Sequence, residues 1–204
     1  MPFDKNRIEP LHYIYPMEEL INYLMRYGQL NAQQIDLIKS KARDLTVQKG
    51  TYFSEAGKTA KQVGFITEGV MRVCYYDNKG SEFTRCFMAE NRFAVDYNSF
   101  LNELPCAEYV EALTDCQMII FEKPDFHELG NTIPDWNQII TKIMSASMMR
   151  KVSEAHQMLS DDASARYLTF LEKNPGLANR IPLSVLASYI GITQSSLSRI
   201  RKNI

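Results

Sequence analysis

The apolar positions of the chain change their period twice. In MEELINYLMRY (17–27), Leu20, Ile21 and Leu24 share one face, which predicts an amphipathic helix. NAQQIDLIKSKA (31–42) predicts a second helix, opened by Asn31. From Leu45 the segments TVQKGTYFS, VGFITEGVMRVCYYD, SEFTRCFM, EYVEAL and CQMIIFE are short, β-branched and aromatic. Gly50, Gly69 and DNKG (77–80) punctuate the run, the last as a hairpin turn. Several short strands within roughly 80 residues predict an antiparallel sandwich or small barrel.

Helical spacing returns in DWNQIITKIMSASMMRKVSEAHQMLS (135–160), which follows Pro134 and meets no breaker before Ser160. Ile140, Met144, Met148, Val152, Ala155 and Leu159 form a stripe at intervals of three and four. Such a helix is about 39 Å long at 1.5 Å per residue. A small β domain cannot cover that length, so the stripe calls for a second copy of the chain. Asp161 and Asp162 then cap a helix through ASARYLTFLEKN, which Pro175 and Gly176 end.

Two short helices close the chain. IPLSVLASYIG (181–191) puts Leu183, Leu186 and Ile190 on one face, with Pro182 at its opening and small Ala187 where a second helix must cross closely. In GITQSSLSRIRK (191–202), Leu197, Ile200 and Ile204 make a narrow apolar stripe. Ser195, Arg199 and Lys202 fall on another face beside Gln194 and Ser198, and Thr193 caps the first turn. Helix, glycine turn and helix make a helix-turn-helix, whose second member enters the major groove of DNA. Gln, Ser and Arg near the start of that member favour base edges over a hairpin packed on its own protein.

Charge agrees locally. The net charge is -1, but residues from Asp161 onward carry six cations against three acids, a net +3 that leaves −4 for the remainder. Cys74, Cys86, Cys106 and Cys116 show no C-x-x-C and read as free thiols in a reducing cytoplasm. The polar start MPFDKNRIEP is no signal peptide, and no apolar run approaches a membrane span. A metal enzyme on a β barrel would need histidines clustered on strands. His12, His127 and His156 lie outside the predicted strands, so neither catalysis nor a metal or other cofactor is expected.

The order of parts resembles the CRP/FNR family of bacterial transcription regulators over nearly the whole chain. VGFITEGVMRVCYYDNKGSEFTRCFM is similar to the family's cyclic-nucleotide-binding roll, and IPLSVLASYIGITQSSLSRIRK to its DNA-reading motif. The resemblance implies an α+β chain: N-terminal helices with a jelly-roll-like antiparallel β-roll as sensor (1–133), a dimerisation helix (134–160) and a winged helix-turn-helix (161–204). It implies a homodimer on two-fold symmetric double-stranded DNA, with RNA polymerase as a partner. Gln194, Ser195 and Arg199 match base-reading positions; Thr193, Ser196 and Lys202 match phosphate-contacting ones. The family's wing is expected to be missing or cut short at Ile204.

The sensor half departs from the family. Val95-Asp96 stands for the Gly-Glu pair that holds ribose, and Cys106-Ala107 for the Arg-Ser pair that holds the cyclic phosphate. Lys151 and Val152 replace small hydroxyl residues on the long helix. A phosphate needs a cation or convergent donors, and Cys106 offers neither. Cyclic AMP is therefore not the expected effector. Either a different, less anionic ligand sits near Asp96, Tyr97, Cys106, Ala107, Lys151 and Val152, with Asp96 able to accept from a hydroxyl, or the regulator binds DNA without an effector. The alternative to a DNA-binding regulator is an effector-binding or protein-interaction β-roll module.

Overall fold

A computed structural model describes residues 11–203. Ile204 and the leader 1–10 lie outside the described residues, as does the side chain of His12. Helices α1 (Leu11–Met25) and α2 (Ala32–Lys41) come first. Asn31 opens α2 with a reciprocal cap: its side chain accepts from the Gln34 N–H, and the Gln34 side chain accepts from the Asn31 N–H, both at 2.9 Å. Strands β1 (Arg43–Val47), β2 (Tyr52–Ser54), β3 (Gln62–Glu68), β4 (Met71–Tyr76), β5 (Glu82–Met88) and β6 (Arg92–Ala94) follow. Helix α3 (Tyr97–Asn102) precedes β7 (Tyr109–Ala112) and β8 (Cys116–Glu122). The chain ends on α4 (Lys123–Thr132), α5 (Trp136–Ser160), α6 (Ala163–Lys173), a 3-10 turn (Leu177–Asn179), α7 (Leu183–Ile190) and α8 (Gln194–Lys202).

The strands make two four-stranded antiparallel sheets, ordered β1-β8-β3-β6 and β2-β7-β4-β5. TVQKGTYFS divides at Gly50 into β1 and β2, which join opposite sheets. The turn needs Gly50 at φ 79°, in the left-handed region. Between the sheets lie Ile66, Met71, Val73, Cys86, Met88, Val110, Met118 and Ile120. The opposite face of the first sheet is also covered, because Phe65, Ile119 and Phe121 pack under α1, α4 and α5. Burial on both faces is why β8 reads as a nearly continuous apolar run.

Trp136 anchors the start of α5, with its ring edge-on to Phe126 (5.5 Å) and Phe121 (6.4 Å). The stripe along α5 serves two surfaces. Ile140 is buried in the subunit's own core and Met144 packs against it, so Ile140 is not available to a dimer seam. The correction is geometric: the first two turns of α5 lie on the roll. Further on, Met148, Met149 and Leu159 are 62%, 69% and 88% exposed, and Val152 and Ala155 are exposed with them. Tyr75 and Tyr76, which alternation would divide between core and surface, are both exposed near the end of the β4–β5 hairpin, past a bulge at Val73/Cys74.

The C-terminal helices do not stand apart from the roll. Phe170, Tyr189, Leu186 and Leu197 form one core with Val70, Phe87 and Leu113. Ser188 Oγ accepts from the Thr84 N–H at 3.0 Å and donates to the Glu82 carbonyl at 3.3 Å, fixing α7 along β5. Among the described residues no strand follows α8.

Candidate nucleic-acid interface and ligand cavity

The helix-turn-helix forms where the sequence predicts it. Gly191 adopts φ 79°, ψ 33° and lets its N–H cap α7. Thr193 opens α8, its hydroxyl accepting from the Ser196 N–H at 3.2 Å. Leu186, Ala187, Ile190 and Leu197 are buried at the crossing, and Ile200 packs against the same cluster. The other side of α8 presents exposed Gln194, Ser195, Arg199, Arg201 and Lys202, while Ser196 and Ser198 are half-buried. Thr193 and Ser196 also contact each other through their hydroxyls at 2.9 Å, and Arg199 Nη2 leans back on Ser196 Oγ at 3.4 Å.

Charge in this half is not all aimed outward. Arg166 donates to the Ile190 carbonyl at 2.9 Å, to Asp161 O at 2.7 Å and to Met158 O at 3.3 Å. One guanidinium thus ties the ends of α5 and α7, where carbonyls lack partners and a cation is favoured. Arg180 pairs with Glu90 and Lys173 donates to Gln157. Of the six cations counted in the sequence, three act within the fold, and Arg199, Arg201 and Lys202 remain exposed on α8.

A cavity of about 610 Å³ lies between the roll and α5. Asp96, Tyr97, Ala107, Lys151 and Val152 line it, and Cys106 does not. The Cys106 thiol is buried in the other direction, 3.1 Å from Ser54 Oγ. Asp96 already accepts two hydrogen bonds: it caps α3 through the Ser99 N–H (3.1 Å) and takes the Ala107 N–H (3.3 Å). Tyr97 is partly buried here, and desolvation raises its phenol above the ordinary range.

Four further charged residues in the wall were not picked out by the sequence as ligand-facing: Arg85, Arg92, Glu108 and Arg150. Arg85 pairs with Glu108 at 2.5 Å and Arg150 with Glu154 at 3.1 Å. Arg92 and Lys151 have no hydrogen-bond or ion-pair partner among the described residues. Arg92 belongs to β6, a strand too short to announce itself, and the Lys151 position was visible only through the helical period. Among the described residues no three His, Cys, Asp or Glu side chains gather as metal ligands, and no helix is long and apolar enough to cross a membrane. All four cysteines are free and buried.

Residues 44–132 match the family model described as cyclic nucleotide-binding domain. The fold around that domain is the one seen in CRP/FNR-family transcription regulators. A CRP/FNR-family transcriptional regulator from Eubacterium rectale superimposes with a TM-score of 0.70 at 16% identity, over 89% of this chain and 87% of its own. The c-di-GMP-responsive global regulator CLP of Xanthomonas campestris gives 0.67 at 16% identity, over 85% and 91%. The catabolite activator protein of Thermus thermophilus gives 0.56 at 17%, over 89% and 85%. No curated protein matches the chain by sequence.

Proposed function

We propose that the chain is a homodimeric DNA-binding transcription regulator rather than an enzyme, reading a two-fold symmetric site through α8. The observation that carries this reading is the division of α8. Leu197 is buried on α7, while Gln194, Ser195 and Arg199 stand exposed together near the helix start. Base edges offer these side chains bidentate partners, and Lys202 and Thr193 flank them for phosphate contact. The exposed half of the α5 stripe pairs with a second copy, which places two α8 helices on successive turns of DNA. The regulator works in the cytoplasm, with RNA polymerase as the partner that the fold class implies.

Cyclic AMP is not its effector. Asp96 spends one oxygen on Ser99 and the other on Ala107, so the cassette's own carboxylate sits at the donors an incoming phosphate would use. Cys106 turns away toward Ser54 and supplies no charge. Selection from random DNA followed by gel shift at varied salt tests the reading. A palindromic site whose affinity falls steeply with salt is expected; recovery of no symmetric site overturns it. Calorimetry with cyclic AMP checks the effector claim, where binding at or below about 10 μM contradicts it.

A further inference from the structure

The cavity has two kinds of wall. Val73, Met88 and Val110 from the roll face Ile143, Met144 and Val152 from α5, a largely apolar pair of surfaces. Four cations, Arg85, Arg92, Arg150 and Lys151, stand around them. The acids nearby are already engaged: Glu108 with Arg85, Glu154 with Arg150, and Asp96 with two backbone N–H groups. Arg92 and Lys151 have no ionic partner among the described residues, and against the single unpaired carboxylate, Asp96, they leave the wall net positive.

We propose that this cavity takes an organic monocarboxylic acid with an aliphatic or aromatic body, its head held by Arg92 and Lys151. The proposal rests on the reading of this cavity as an effector site and names the class of ligand. Its volume lies within the range that encloses most of a drug-sized ligand, and the apolar faces of the roll and α5 give the body of such a ligand its cover. A guanidinium and an ammonium both favour a carboxylate, the former as a two-pronged donor. A sugar phosphate fits less well. It would compete for the same two cations, but its polar body would lie against the apolar faces of Val73, Met88, Val110, Ile143 and Met144. Arg92 and Arg150 also line a second cavity, about 380 Å³, bounded by Lys173, Asn174 and Leu177. Of the two cations assigned to the head group, Arg92 therefore also faces the helix-turn-helix half.

Calorimetry of the full chain with decanoate, 4-phenylbutyrate, decanol and cyclic AMP tests this. The acids should bind, and decanoate should exceed decanol about tenfold or more, the size of one charged hydrogen bond. The double variant Arg92→Gln, Lys151→Gln should lose about tenfold or more for decanoate and stay within about twofold for decanol. Circular dichroism verifies its fold; if it is unfolded, the acid-against-alcohol comparison on the unaltered chain decides. Equal binding of alcohol and acid overturns the proposal, as does acid affinity unchanged in the folded double variant. Neither acid binding below about 1 mM also overturns it, as does cyclic AMP binding more tightly than both acids. Gel shift on the same preparation separates the two claims. Specific DNA binding without acid binding sinks the ligand class alone, whereas acid binding without a specific DNA site sinks the regulator.

Discussion

Arg180 grips Glu90 with both prongs, Nη1 to Oε2 at 2.9 Å and Nη2 to Oε1 at 2.5 Å. Glu90 follows β5 on the roll and also accepts from the Gly69 N–H at 2.8 Å; Arg180 precedes α7. Beside this clamp Phe87 meets the rings of Tyr189 and Phe170 at 5.0 and 5.8 Å. Strand β5 therefore has two audiences. Arg85 and Met88 line the cavity between the roll and α5, while Thr84 and Phe87 hold the helix-turn-helix.

The clamp should respond to acid. The Arg180 guanidinium holds the Glu90 carboxyl below the usual carboxylate range. A lowered native value means the stabilisation is present above the ordinary carboxylate pKa and is lost as pH falls through the native one. Glu90→Gln should cost about 0.5–1 kcal/mol at neutral pH, as expected for a partly exposed ion pair. It should also abolish the acid-dependent part of the loosening. Hydrogen-exchange protection of the α7 amides, compared near neutral pH and below about pH 4, reads both effects.

A buried cation holds the outer face of the second sheet. The Arg72 side chain is 5% exposed, donates Nε to Glu111 at 2.7 Å and Nη1 to Thr84 Oγ1 at 3.0 Å, and pairs with Glu82. Arg72→Met leaves two carboxylates facing each other without a cation. A loss of about 3 kcal/mol is expected, the low end for breaking a buried pair because Glu82 is partly solvated. Chemical denaturation measures it, and a loss under about 1 kcal/mol would show that water already satisfies these acids.

Arg199→Ala should weaken the selected DNA site by about 1–3 kcal/mol and relax preference at one base pair. Lys202→Ala should weaken all sequences alike and flatten the dependence of affinity on salt. Titrations on the selected site and on scrambled DNA, at several salt concentrations, separate the two. Equal behaviour of both variants would show that α8 reads only the backbone.

Val152→Glu should split the proposed dimer without unfolding the subunit, because the side chain is 41% exposed within one chain and a second copy on this stripe would cover it. Ile140→Ala should do the reverse. It removes a residue from the subunit's own core, at a cost of about 2–5 kcal/mol, and leaves association otherwise intact. Sedimentation and thermal melting of both variants distinguish seam from core; a wild-type monomer at micromolar concentration would contradict the dimer.

Features that depend on near neighbours were legible in the chain. Asn31, Asp162 and Thr193 each cap a helix through a contact three residues ahead, and Gly191 needs only its own left-handed conformation. The helix-turn-helix, the long helix and the succession of strands follow from such local rules, together with the period of the apolar residues. Tertiary structure decided everything that joins distant segments. Cys106 and Asp96 sit in one predicted cassette, yet folding turns the thiol to Ser54, 52 residues away, and spends the carboxylate on Ala107. Ile140 and Met148 belong to one stripe, and only the position of the roll makes the first core and leaves the second exposed. Arg180 counts as a cation for DNA until Glu90, 90 residues earlier, is brought against it. Periodicity says which side of an element is apolar or charged; what that side meets depends on long-range packing, which no local pattern encodes.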